Sequence, residues 1–124
     1  MEKRAIQLSE STTVPYSPAV VCGEFVFVSG QVPINTATGN LISADFKQQA
    51  EQTFENLKIV LEEAGSSMDR VIKTTALLTD MKNFPKLNEV YMRHFLKDRP
   101  ARSCIEVSRL PFNAKIEIEA IAAI

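Results

Sequence analysis

No stretch of this chain approaches the roughly 18 consecutive apolar residues that a bilayer crossing requires. The opening "MEKRAIQLSE" has no apolar run after its basic residues, so no secretory signal is expected. Cysteine is scarce. Cys22 and Cys104 lie far apart and in no CxxC pattern, which excludes zinc-ribbon spacing and a disulfide framework. Two free thiols then point to a reducing compartment, and a cytoplasmic location is expected. Charge of one sign is missing too. Lys+Arg 14 stand against Asp+Glu 15, a formal net charge of −1, which gives no general attraction to nucleic acid or to an anionic membrane. Neither is expected as a partner. There is a single histidine, His94, and there is no metal-ligand cluster, phosphate loop or dinucleotide fingerprint. No metal or cofactor is expected. Any catalysis must come from Arg, Glu, hydroxyls, backbone groups and water.

What is present is ordinary for a globular chain, with 45% hydrophobic and 23% charged residues. A length of 124 residues suits one domain, 1–124, with a single core that needs no disulfide or structural metal. "AIQL" reads as a short first strand. "ESTTVPYSPA" reads as a loop, because Pro15 and Pro18 cannot sit inside a regular ladder. "VVCGEFVFVSG" predicts two strands around a tight turn at Gly23-Glu24, and "QVPINTATGNLIS" a loop with a second turn at Gly39-Asn40. "DFKQQAEQTFENLKIVLEEAG" is the clearest helix. Phe46, Ala50, Phe54, Leu57, Leu61 and Ala64 share one face, Asp45 with Gln48 fits a capping box, and Gly65 fits a stop.

The β-branched "DRVIKTTALLTD" predicts a strand. "NFPKLNEVYMRHFL" predicts a second helix with Asn83 as N-cap and Pro85 in its first turn. "ARSCIEV" and "AKIEIEAIAAI" finish as strands joined at "SRLPFN". The order β, ββ, α, β, α, ββ predicts an α+β fold, in which two helices cover one face of a mostly antiparallel sheet of about six strands. The other face mixes charged and apolar positions, so a homo-oligomer is expected there.

The final strands carry the ionisable residues. Lys115, Glu117 and Glu119 alternate with Ile116, Ile118 and Ala120, while Arg102 lies beside Cys104 and Glu106. Such a charged face either meets solvent or lines a site. Arg102 could grip a carboxylate with two parallel hydrogen bonds, or could form an internal ion pair with Glu117 or Glu119. Glu117 could activate water if burial raised its pKa, or could be a solvated strand carboxylate. Ser29-Gly30 ends a strand where a ligand could approach the backbone, or is a plain turn. Tyr16 could cap a pocket or anchor its loop. Asn88 sits on a helix, where an amide is commonly just solvated. Cys104 with His94 could make a nucleophilic pair, although nothing in the spacing supports it.

"VSGQVPIN", "NLKIVLEEAGSSMDRVIKTTALLTDM", "LNEVYMRHF" and above all "RPARSCIEVSRLPFNAKIEIEAIA" resemble the RidA family, also called YjgF, over nearly the whole chain. The resemblance implies a chorismate-mutase-like fold and a homotrimer with a site in each cleft between subunits. It implies hydrolytic deamination of 2-iminopropanoate and 2-iminobutanoate, which arise from enamines released by pyridoxal-phosphate dehydratases, to 2-keto acids and ammonia. It implies a carboxylate clamp at Arg102 and a catalytic glutamate at Glu117. Tyr16, Ser29, Gly30, Asn88 and the backbone of Cys104 would bind substrate and water. The family usually has glycine where Val14 stands, and a β-branched residue disfavours positive φ, so the loop of Tyr16 is expected to be shaped differently. Three other readings stand beside this one. They are a non-catalytic regulatory trimer that binds a keto or amino acid, a chaperone-like trimer, and a ribonuclease or translation inhibitor. The chain argues against the last, since it has no basic stripe with interleaved aromatics.

Overall fold

A computed structural model describes residues 1–8 and 14–124 of the chain. Its longest helix, α1 (Phe46–Glu63), forms where the apolar residues recur at helical spacing, and those six residues are buried. Asp45 caps it by accepting from the Gln48 N–H at 3.0 Å. The expected box is only half made, because the Asp45 N–H donates to Ser43 Oγ instead of to Gln48. At the other end Gly65 takes a φ of 88°, and the Ser66 and Gly65 N–H groups bond back to Leu61 and Glu62. This left-handed closure is open to glycine at little cost.

Six strands form the main sheet. β1 (Lys3–Ile6), β2 (Ala19–Cys22) and β3 (Phe25–Gln31) make an antiparallel meander, with the predicted tight turn at Gly23-Glu24. Of the predicted loop 10–19, positions 10–13 lie outside the described residues. The segment after β3, predicted as plain loop, contains a small hairpin of β4 (Ile34–Asn35) and β5 (Asn40–Leu41). Asn56 on α1 holds it by donating to the Val32 and Ile34 carbonyls. β6 (Val71–Leu78), β7 (Ala101–Glu106) and β8 (Ile116–Ala123) complete the order β1-β2-β3-β8-β6-β7. Every pair is antiparallel except β6 with β7, whose crossover is the second helix, α2 (Phe84–His94). Asn83 makes no side-chain cap. The turn Met81–Asn83 leads into the helix, and Asp80 caps that turn through the Lys82 N–H.

Both helices cover one face. Val26 and Val28 of β3, Thr74, Ala76 and Leu78 of β6, and Ile116, Ile118, Ala120 and Ala122 of β8 point into that core, two residues apart as the pleat requires. The opposite face carries Phe25, Phe27 and Ile105, each about half exposed, among Thr75, Leu77, Glu117 and Glu119. Among the described residues no helix is long and apolar enough to cross a membrane.

One buried amide ties the helix layer to the strand that bears the candidate carboxylate. Gln49 is fully buried, donates to the Ser43 carbonyl at 2.8 Å and accepts from the Lys115 N–H at 2.9 Å. Replacing it with an apolar residue strands both backbone groups. Gln49→Leu should therefore lose about 1–3 kcal/mol in urea unfolding. An unchanged midpoint and slope would show that the two groups find other partners.

Candidate functional site

The expected site residues fall into two groups. Glu117 heads β8, one residue past the first core residue of that strand. It lines a cavity of about 330 Å³ together with Tyr16, Ser29 and Gly30. Val32, Pro111 and Phe112 complete the walls. The register slips between Val28 and Gln31, which brings the Gly30 backbone against the Glu117 side chain. A Cβ on Gly30 would run into the Glu117 carboxylate, so any side chain there would push that group out of its place. Burial pushes the Glu117 carboxyl above the usual carboxylate range, and the neighbouring Glu119 adds to the effect.

Ser29 serves the loop beside it. Its hydroxyl donates to the Ser17 carbonyl at 2.7 Å and its N–H to the Pro18 carbonyl at 2.9 Å. The Gln31 side chain donates to the Ser29 carbonyl in turn. These bonds pin the segment that presents Tyr16, which is 60% exposed. The expectation that Tyr16 caps a pocket fits this placement, while the Ser29 hydroxyl is committed to the loop.

The second group stands on the other side of the sheet. β7 pairs with β6 so that Arg102 lies opposite Thr74 and Cys104 opposite Ala76, both of them core-facing. Arg102 therefore points to the helix side. Its guanidinium carbon sits 4.8 Å from the Tyr91 ring centroid and 5.3 Å from that of Phe84, and Nη1 donates to Asn88 Oδ1 at 2.9 Å. Asn88, predicted as a commonly solvated amide, thus orients the guanidinium. Tyr91 is fixed in its turn by a 2.7 Å hydrogen bond between its hydroxyl and buried Thr74. A cavity of about 350 Å³ opens here, with Arg102, Asn88, Tyr91 and Arg99 among its walls. Asn88 uses one of the five guanidinium N–H donors, which leaves a fork suited to a carboxylate.

Three readings of the sequence are corrected by this geometry. Arg102 makes no ion pair with Glu117 or Glu119, because β6 lies between β7 and β8 and the side chains leave opposite faces. The charged face does not include Arg102 for the same reason. Nor do Cys104 and His94 form a pair. His94 bonds Glu51 at 2.8 Å and stacks on Phe54 at 4.6 Å between centroids, and it lines neither cavity. Burial pushes the Cys104 thiol up, against the pull of Arg102, which keeps it a poor nucleophile. The sequence reading missed Phe84 and Tyr91 under the guanidinium and the wall formed by Val32, Pro111 and Phe112. An aromatic inside the connector "LPFN" was the available signal for that wall.

Comparison with known proteins places this arrangement. The family model described as Endoribonuclease L-PSP matches residues 7–124. A RutC family protein of Pyrococcus horikoshii is 51% identical over 108 residues, covering 87% of this chain and 86% of the relative. The yeast protein MMF1, mitochondrial, is 41% identical over 116 residues, covering 94% and 79%. Among solved structures, RidA from the Antarctic bacterium Psychrobacter sp. superposes with a TM-score of 0.91 at 39% identity, covering 98% of this chain and 99% of that one. Escherichia coli TdcF with bound serine superposes at 0.88 and 39% identity, covering 98% of each chain.

The tight fit of Gly30 against Glu117 has a measurable consequence. Gly30→Ala should drive the carboxylate off the backbone and into water. Its titration, followed by carboxyl-detected NMR, should then fall toward the ordinary range near 4.5. A titration left where it is in the parent protein would mean that other walls hold the group.

Proposed function

Because the chain belongs to the Endoribonuclease L-PSP family, as a protein of the RidA type, we propose that it hydrolyses reactive 2-imino acids to 2-keto acids and ammonia in clefts between the subunits of a homotrimer. The observation that carries this reading is the division of the site. An anion-gripping half at Arg102 and a proton-handling half at Glu117 leave opposite faces of one sheet. One chain cannot bring them together, whereas two copies can. The half-exposed Phe25, Phe27 and Ile105 on the open face support an assembly that covers them.

The chemistry follows from the two halves. Arg102 of one copy clamps the substrate carboxylate, and Asn88, Phe84 and Tyr91 hold the guanidinium in place beforehand. Serine bound to TdcF, a small amino acid with a carboxylate, supports a ligand of this class. The imine carbon is electrophilic once its nitrogen is protonated. Glu117 of the other copy takes a proton from water as the oxygen adds to that carbon, giving a carbinolamine. The same carboxylic acid returns the proton to nitrogen, the C–N bond breaks, and the hydroxyl proton leaves with ammonia as ammonium. A carboxyl raised by burial suits both transfers better than an ordinary one. 2-Iminopropanoate and 2-iminobutanoate, formed from dehydratase enamines, are the members of this class that the resemblance implies.

A ribonuclease built on histidine gains no support, since His94 is held by Glu51 and Phe54 away from both cavities. We assign the protein to the cytoplasm on its two free thiols, Cys22 and Cys104. The yeast relative MMF1 is named as mitochondrial, so the compartment is not uniform among relatives.

The test couples a serine or threonine dehydratase to semicarbazide trapping. Arg102→Ala and Glu117→Gln should each cut imine hydrolysis about 100-fold or more while the protein stays folded. Co-refolding the two inactive variants in equal amounts should restore about a quarter of parental activity. In a cyclic assembly that fraction of clefts receives an intact Arg102 from one copy and an intact Glu117 from its neighbour. No restoration would refute a shared site, and full activity in folded Arg102→Ala would refute the clamp. A pH profile adds a further check. The acidic limb should lie above the usual carboxylate range and move down in Glu119→Gln, because removing that neighbouring charge eases ionisation of Glu117.

A further inference from the structure

Phe112 is a wall of the Glu117 cavity to which hydrolysis gives no task. Three observations concern it. The residue is 56% exposed, although its side chain is large and apolar. Its backbone is left-handed, at φ 62° and ψ 16°, and Asn113 beside it is left-handed at φ 58°. Asparagine adopts that region readily, but phenylalanine does so rarely. Finally, it shares the cavity with Tyr16, which is 60% exposed, and with Pro111 and Val32. The turn Pro111–Asn113 thus holds an aromatic ring at the cavity and keeps it out of the core.

The chemistry of these walls decides which end of a ligand they meet. No cationic side chain lines this cavity among the described residues, and its only carboxylate is Glu117. A substrate carboxylate finds repulsion there and is gripped by Arg102 instead. The reacting carbon must sit by Glu117, so the substrate's side chain is the part that faces Tyr16, Pro111 and Phe112. Two aromatic rings and a proline offer that side chain more apolar surface than a methyl group covers.

We infer that Phe112 sets side-chain specificity, with Tyr16 as the second aromatic wall, and that the site favours 2-imino acids bearing large apolar or aromatic side chains over those bearing a methyl group. This inference rests on the 2-imino acid reading of the site, and the test separates the two. Such imines form when the amino group of an apolar amino acid is oxidised, so a reaction of that class would supply them.

The stable 2-keto acids serve as probes. Calorimetry on the folded assembly should show phenylpyruvate binding about tenfold more tightly than pyruvate. Phe112→Asn removes the ring while suiting the left-handed backbone, so the turn survives. In this variant the ratio should fall to near one, with pyruvate affinity changed less than about twofold. A ratio unchanged by Phe112→Asn, or no preference in the parent protein, overturns the inference, and failure of both acids to bind counts as no preference. The matching imines, generated in situ by an amino acid oxidase with catalase present, are then assayed for turnover. A binding preference that depends on Phe112, without faster hydrolysis of either imine, keeps the specificity pocket and removes the deaminase. Faster hydrolysis of both, in a ratio that Phe112→Asn leaves alone, keeps the deaminase and removes the specificity role.

Discussion

The two-residue period of the β-sheet is the constraint on which the rest of this site depends. Thr74 of β6 stands opposite Arg102 on one side and Ala120 on the other, and all three side chains leave the helix-covered face. Leu77, three residues on, stands opposite Glu117 on the other face. An odd offset along a strand always means opposite faces, so no rotamer can bring Arg102 to Glu117 within one chain. The register itself is strongly held. A slip of one residue would turn Thr74, Ala76 and Leu78 out of the core and Thr75 and Leu77 into it.

The two halves are prepared differently, and each preparation suits its proposed task. Arg102 is fixed from several sides. Two rings flank its charge, an amide takes one donor, and the Tyr91–Thr74 hydrogen bond fixes one of those rings. A clamp gains from such rigidity, since the orientation is settled before the ligand arrives. Glu117 is set by space and by solvent exclusion. Gly30 lets its carboxylate lie against the backbone, and burial with Glu119 nearby favours the neutral acid. Arg102 in direct contact would do the opposite, holding the carboxyl ionised and weakening it as a proton donor. The sheet therefore keeps the Arg102 and Glu117 of one chain out of direct contact.

Much of this was legible in the sequence, for reasons visible in particular residues. The helices were readable because Phe46 through Ala64 and Leu87 through Phe95 repeat at helical spacing, with Gly65 ending the first and Pro85 opening the second. The strands were readable from alternation, as in "KIEIEAIA". Arg102, Glu117, Tyr16 and Asn88 were named from chemistry and resemblance, and each lines one of the two cavities. What failed was relational. Alternation assigns faces within a strand but not between strands. "ARSCIEV" and "AKIEIE" are consecutive in the chain, yet β6 separates them in the sheet. That insertion put Arg102 on the unexpected face. The β4–β5 hairpin escaped because two-residue strands carry no period, and the Asp80 cap escaped because Asn83 was the more familiar candidate three residues later.

On the proposed function, the same geometry makes an isolated chain a poor catalyst even with every side chain in place. The Arg102 cavity can hold a carboxylate, but no carboxylate base is among its walls to move a proton. The Glu117 cavity can move a proton, but it repels the anionic group that every 2-imino acid carries. Each half is therefore selective against finishing the reaction alone. The proposed joining across an interface would make activity conditional on assembly, and burial of the apolar residues of the open face would drive that assembly. The two requirements reinforce each other. The pleat that sends Phe27 and Ile105 outward also sends Glu117 outward, onto the open face where the proposed assembly would bring another copy's Arg102.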